Sequence, residues 1–438
     1  MKGIFNVQAK QISYAGMLIL TITSIYFFFV QVNIAPCCDQ TDYLALANNI
    51  HNEGIVSAQN VLRTFGYPWF LSILIKISVL INMPLILILF IAQAIIYLLV
   101  IIRIRNIVYI HSPTIADVIF FVFCLNIFVA PYFANYLTDS IYLSLCLLVL
   151  INITKYFIEG IANNSLLFWT AAAFSTNIII RPAAIWLLFP MLLFLLHLFI
   201  TKRKESFSIF FFILLGLTPL FIQTYLNFTK YGALSFLPIQ DLGAAQLKWG
   251  IENIKYSTWL GGGNPQNFYP SSKIITLPTN IDAYTISWYF SNFTDGLTLL
   301  SLKFIGAFDF DFLVPFPKEI PSLYWIPSIF SYVIMWLGIF GIIFHLTTGR
   351  LFFLGHRLLP ITILLSWGSV TLLTALELRF TLPLISYLMY VSVIYFFEMV
   401  KEGNKKYLYI TIGGLSILIP SSCLLASIIR DQSHIYAG

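Results

Sequence analysis

Three arginines and four carboxylates stand at the ends of long apolar runs, where a charge has to be explained. They are Arg63, Arg181 and Arg379, with Asp39, Asp42, Asp139 and Glu377. An arginine fork matches phosphate oxygens two at a time. A carboxylate supplies a general base or holds a divalent metal. In Asp39-Gln40-Thr41-Asp42-Tyr43 the spacing predicts a helix from about Asp39, with Asp39 and Tyr43 on one face at i and i+4. Asp42, at i+3, lets both acids flank one cleft. Thr138-Asp139-Ser140 opens a span, Arg181 closes one helix, and Pro182 opens the next. Glu377-Leu378-Arg379-Phe380-Thr381-Leu382-Pro383 stands at the same level late in the chain. Phosphate recognition beside a base at a bilayer surface suits a lipid phosphate as leaving group. A sugar on a polyprenyl phosphate fits: the base takes the acceptor's hydroxyl proton and the arginines stabilise the departing phosphate. Singly, each group is explained as an interfacial cap or a surface ion pair; the set carries the chemical reading.

The elements that must position these groups follow from composition. The 438 residues are 59% hydrophobic and only 10% charged, against about 25% charged in soluble domains. So few charges cannot coat a 50 kDa globule, which excludes a soluble multidomain enzyme, a disordered chain and a fibrous one. The apolar residues fall into eleven blocks long enough to cross a bilayer: 14–34, 84–102, 114–131, 139–158, 165–180, 183–200, 206–226, 327–347, 357–376, 382–400 and 407–428. Two weaker stretches read as helices lying in the interface: 67–81 with Lys76, and 296–312 with Lys303, Asp309 and Asp311. The expected fold is an all-α polytopic membrane protein with about eleven transmembrane helices. Three regions follow: an N-terminal transmembrane module, 1–226, with a catalytic first outer loop at 35–83; one long outer loop, 227–326; and C-terminal transmembrane helices, 327–438.

Charge orients the spans. With the N-terminus cytoplasmic, the inner segments and adjoining span ends hold Lys2, Lys10, Arg103, Arg105, Lys155, Lys202-Arg203-Lys204, Arg350, Arg357, Lys401, Lys405 and Lys406. The short outer segments are acidic, with Asp39, Asp42, Glu53, Asp139 and Glu377. This is the positive-inside pattern, and arginines on the outer side run against it. The net charge of +6 is therefore a topology signal, and no nucleic-acid partner is expected. Tyr14–Ala35 is too long for the apolar core of a cleavable signal.

Other features carry bland readings. Six histidines lack ligand spacing, and three of the five cysteines lie in apolar runs. Cys37-Cys38 is suggestive, but neighbours in sequence rarely bridge. Asn227 and Asn292 open tripeptides of the glycosylation pattern, which is short enough to recur by chance.

The ordered series resembles the GT-C class of integral-membrane glycosyltransferases, closest to the bacterial branch related to protein O-mannosyltransferases and the lipid A aminoarabinose transferase. The residues that carry the resemblance are Asp39, Tyr43, Ala47, Gly66-Tyr67-Pro68, Thr138-Asp139, Arg181-Pro182, Glu377, Arg379, Phe380 and Pro383. Phe65 and Phe380 depart from it, standing where many relatives have proline and tyrosine. The resemblance covers most of 1–230 and 360–400, and the long outer loop matches nothing.

It implies inverting transfer from a polyprenyl-phosphate sugar to a lipid, glycan or protein acceptor, at the outer face of a bacterial inner membrane. Asp39 is the implied base, with Asp42 as its alternative. Asp139 orients the acceptor or helps hold a divalent metal, magnesium or manganese, so metal use stays open. Arg63, Arg181 and Arg379 are the phosphate candidates, and Glu377 orients Arg379. Tyr43 and Tyr67 serve in support, with interfacial anchoring their simpler role. Two rivals remain: a lipid-linked oligosaccharide polymerase or ligase, and a lipid or glycolipid transporter. The transporter calls for internal repeats and ionisable groups at the bilayer midplane.

Overall fold

Runs of Leu, Ile, Phe and Val without polar alternation fold as helices in hydrocarbon, because a helix satisfies its backbone N–H and C=O groups within one segment. The computed structural model describes residues 2–58, 60–240, 242–261, 264–278, 280, 284–310, 313, 315, 325–402 and 405–431. Among them seven helical stretches are long and apolar enough to cross a membrane: Gln11–Gln31, Leu85–Tyr109, Asp139–Glu159, Pro182–Thr201, Trp325–Thr348, Leu378–Lys401 and Tyr407–Arg430. The chain is a polytopic helical membrane protein. Ser206–Gly216 and Thr218–Tyr231 make an eighth stretch, bent by 51°. Pro219 accounts for the bend, since its ring clashes with the carbonyl four residues back and donates no hydrogen bond.

Three other expected crossings are shorter apolar helices: Pro113–Cys124, Asn164–Ile180 and Leu358–Thr371. Each is shorter than the roughly 20 residues that span a bilayer core upright. The block expected at 114–131 stops at Cys124 because Leu125 leaves helical geometry and the Asn126 side chain takes the Phe128 N–H at 3.2 Å. The chain then runs on to Thr138 in turns and one short 3₁₀ segment, nearly all of it buried.

The chain divides into two compact units, Met1–Gln240 with Phe352–Leu359, and Asp241–Leu351 with Pro360–Gly438. The first contains α1 (Lys2–Gln31), α2 (Asp39–Glu53), α3 (Gly66–Ile81), α4 (Leu85–Tyr109), α5 (Pro113–Cys124), α6 (Asp139–Glu159), α7 (Asn164–Ile180), α8 (Leu188–Thr201), α9 (Ser206–Gly216) and α10 (Thr218–Tyr231). Helix α1 packs on α5, α2 on α3, α6 on α7, and α7 on both α9 and α10. Phe352–Leu359 returns to this unit from late in the chain. There Phe352 meets the His111 ring, and the His356 ring lies 5.3 Å from Phe157.

The second unit contains α11 (Leu242–Glu252), β1 (Asn253–Gly261), β2 (Asn264–Pro270), α12 (Ile286–Ser291), α13 (Phe293–Ala307), α14 (Trp325–Thr348), most of α15 (Leu358–Thr371), α16 (Leu382–Glu402) and α17 (Lys405–Asp431). The antiparallel hairpin β1–β2 departs from an all-helical chain. It lies in the long loop, where Asn, Gly and Pro replace the apolar runs. Ile251, Ile254, Tyr269, Trp288 and Leu299 gather there into one buried cluster.

The stretch at 296–312 differs from an interfacial helix. Lys303 on α13 is completely buried and donates to the carbonyls of Gly250 and Thr374, each at 2.7 Å. Asp309, also fully buried, accepts from Lys255 at 2.8 Å and from Arg430. These groups meet protein partners, not headgroups: α11 and the segment after α15 hold Lys303, and the hairpin and α17 hold Asp309. Asp311, Phe312, Gly262 and Gly263 lie outside the described residues. The Asn227 amide is buried and donates to the carbonyls of Ser235 and Leu237, so that tripeptide is no accessible acceptor.

Candidate functional site

Helix α2 begins at Asp39, which puts Asp39 and Asp42 in its first turn, where the helix dipole favours acids. Arg63 reaches them from the connection to α3. Its Nη2 donates to Asp39 Oδ1 at 2.6 Å and to Asp42 Oδ2 at 3.2 Å. The Asn60 side chain fixes that connection by accepting the N–H groups of Leu62 and Arg63. The guanidinium carbon lies 5.1 Å from the centre of the Tyr43 ring. Burial works against the Arg63 charge, but Tyr43, Asp39 and Asp42 outweigh it and hold its pKa above the usual arginine value. Arg63 Nε is buried and makes no hydrogen bond among the described residues.

A second ion pair lies in the same unit. Asp139, the first residue of α6, is completely buried and receives a hydrogen bond from Arg181, which closes α7. Arg181 also donates to Thr138 Oγ1 at 3.1 Å and stands over the Tyr142 ring at 5.2 Å. Arg181 leaves α7 in an extended conformation, and Pro182 opens the following 3₁₀ turn. The arginine is thereby aimed back along the helix end and not into the next span.

Three contacts tie the two pairs together. Tyr43 and Tyr67 meet edge to face, with ring centres 4.9 Å apart, in a buried cluster with Ile141 of α6 and Ile180 of α7. Gly66 lies directly on Ile179, two residues before Arg181. Gln40 of α2 accepts the Tyr136 N–H at 3.2 Å, three residues before Asp139. Gln223 of α10 accepts the Phe65 N–H at 2.9 Å and fixes the entry to α3. A glutamine inside an apolar block is a visible signal, and its role as a tie for the first loop was not read from the sequence.

Glu377 and Arg379 belong to the second unit. Both are buried, and Arg379 engages Glu377 through Nε and through Nη2, the latter at 3.0 Å. This two-pronged geometry is the one that recognises phosphate, here filled by a carboxylate. Trp367 pins the turn by donating to the Phe380 carbonyl at 3.1 Å. Lys255, Asp309 and Arg430 form the unit's other ionic centre, which the sequence did not announce because its members lie up to 175 positions apart.

Among the described residues no three His, Cys, Asp or Glu side chains converge as a metal site requires. Each candidate carboxylate is already met by an arginine: Asp39 and Asp42 by Arg63, Asp139 by Arg181, Glu377 by Arg379. That donor set suits anions near the arginines better than a divalent cation among the acids. Together the fold and its charges define an integral membrane protein with paired acids and arginines where its helices begin and end. Comparison with protein-family models, with curated proteins and with solved structures gives no match.

Proposed function

We propose that the chain is a glycosyltransferase of GT-C type that moves a sugar from a polyprenyl-phosphate donor to an acceptor at the outer face of a bacterial inner membrane, with inversion. The observation that carries this reading is the sharing of Arg63 between Asp39 and Asp42, with the Asp139–Arg181 pair tied to it through Tyr43, Tyr67 and Gly66. An incoming phosphate competes with carboxylates for the guanidinium groups. As Arg63 turns to the phosphate it releases Asp39, which accepts the acceptor's hydroxyl proton. The acceptor oxygen then bonds to the anomeric carbon, the bond from that carbon to the phosphate oxygen breaks, and Arg63 and Arg181 stabilise the polyprenyl phosphate that leaves. Arg379, held by Glu377, is the phosphate candidate of the second unit.

Topology supports the same reading. Counting the bent pair and the three short helices as crossings gives eleven spans. Arg103 and Arg105 near the end of α4, Lys155 near the end of α6 and Lys202 after α8 then share the cytoplasmic side. Asp139 and Arg181 stand at the opposite helix ends. Ionisable groups at helix ends favour a surface-acting enzyme over a transporter, which would hold them at the midplane.

The deciding experiment is transfer in vitro by purified protein supplied with radiolabelled polyprenyl-phosphate sugars. Wild type should transfer label and Asp39→Asn should do so at least about 100-fold more slowly, with expression and melting unchanged. Equal activity of the two would overturn the assignment.

A further inference from the structure

Cys37 and Cys38 immediately precede Asp39, and in extended chain neighbouring side chains point to opposite sides. These two do not. Their Sγ atoms lie 2.9 Å apart. The cause is the backbone at Cys38, φ 57° and ψ −128°, which is the first central position of a type II′ turn. The turn is closed by the Gln40 N–H donating to the Cys37 carbonyl at 3.0 Å. Glycine is the residue this position favours. Among the described residues only Cys38 and Asn82 carry positive φ without being glycine. Asn82 has ordinary left-handed geometry at a helix end, where asparagine is common. Cys38 has the unfavourable conformation, and its effect is to swing one thiol onto the other.

We propose that Cys37 and Cys38 are a reversible dithiol–disulfide pair, a modification site that exchanges with low-molecular-weight or protein disulfides. Cys38 is the exposed thiol and Cys37 is half-buried, so Cys38 attacks and Cys37 resolves. Burial first, then the neighbouring Cys38 and Asp39, push the Cys37 thiol up to about 12, in keeping with that order. The Cys38 thiolate attacks one sulfur of R–S–S–R, breaking its S–S bond and releasing one thiol. Cys37 then attacks the mixed disulfide, forms the Cys37–Cys38 bond and releases the second thiol. The two cysteine protons end on two R–SH molecules, so the pair is oxidised as the external disulfide is reduced.

A ring closed across one peptide bond is strained, and strained exposed disulfides are the labile kind. Its effect is local to the candidate site. Thr41 donates through both its N–H and its hydroxyl to the Cys38 carbonyl, at 3.1 and 2.7 Å, and Asp39 follows the turn directly. Closing the ring therefore alters the first turn of α2, where Asp39 meets Arg63. This modification goes beyond sugar transfer, and its test does not depend on it.

Full-length protein in detergent is equilibrated with mixtures of reduced and oxidised glutathione, trapped with N-ethylmaleimide, digested, and read by mass spectrometry. As oxidised glutathione rises, the peptide holding both cysteines should lose both alkyl groups and appear two hydrogens lighter than the reduced peptide. Cys37→Ser should instead accumulate glutathione on Cys38. The proposal is overturned if wild type keeps both cysteines alkylated across the series, holds glutathione without resolving it, or links either residue to another cysteine. The wild-type series decides the matter alone should the variant not fold.

Discussion

Gly66 and Ile179 approach so closely that a Cβ on Gly66 would stand 2.5 Å from the Ile179 carbonyl oxygen and 2.8 Å from its carbonyl carbon. Both atoms are backbone and cannot rotate away. This contact sets the distance between the start of α3, which carries Tyr67, and the end of α7, which carries Arg181. Gly66→Ala should force the two apart and cost about 1–3 kcal/mol, as overpacking does. The check is thermal unfolding in detergent, and an unchanged midpoint would show that the two helices are not held this way.

Asp39 and Asp42 share one arginine nitrogen but not equally. Asp39 has the shorter bond, and the Asp42 side chain is 55% exposed. Asp39→Asn should reduce sugar transfer about 100- to 10,000-fold, the range for loss of a general base. Asp42→Asn should be milder. Initial rates with a radiolabelled donor separate them, and the reverse order would make Asp42 the base.

Asp139 and Arg181 form a buried pair, so removing either leaves an uncompensated charge at a cost of about 3–5 kcal/mol. Asp139→Leu and Arg181→Met should each lower the unfolding midpoint. The double variant, with no lone charge left, should be more stable than the sum of the single losses implies. Strict additivity in that cycle would mean the two side chains do not interact.

Lys303 satisfies two carbonyls from separate segments, Gly250 and Thr374. Lys303→Met leaves both unpaired, at about 1–3 kcal/mol each. Burial also holds the Lys303 pKa well below its ordinary 10.5. Between the lowered value and 10.5 the unfolded chain binds more protons than the folded one, so this group makes stability rise with pH across that window. Melting curves from neutral pH towards 10.5 should show wild type gaining on Lys303→Met. Parallel curves would show that Lys303 stays charged in the fold.

Much of the helical framework was legible because each span is a block of one physical character. The start of α2 at Asp39 was readable from the spacing of its acids and Tyr43. Where a backbone detail decides, the sequence was silent. Nothing in Cys37-Cys38 announces a turn that stacks the two thiols, and nothing in Asn126 says that its side chain ends the helix before it. Lys303 resembled a headgroup anchor because its neighbours on α13 are apolar, and only the packing of α11 and of the segment after α15 shows that it meets carbonyls. The Asp39–Arg63 pairing joins residues 24 positions apart through a loop that Asn60 shapes, and such closure follows from turn geometry, not from residue type.

The return of Phe352–Leu359 to the first unit has a consequence for biogenesis. When the translocon has released α10, this unit still lacks the segment that packs on His111 and Phe157, and the ribosome must read through more than a hundred further codons to supply it. The first unit is therefore completed after most of the second has been synthesised. Until then the His111 and Phe157 rings stand without Phe352 and His356.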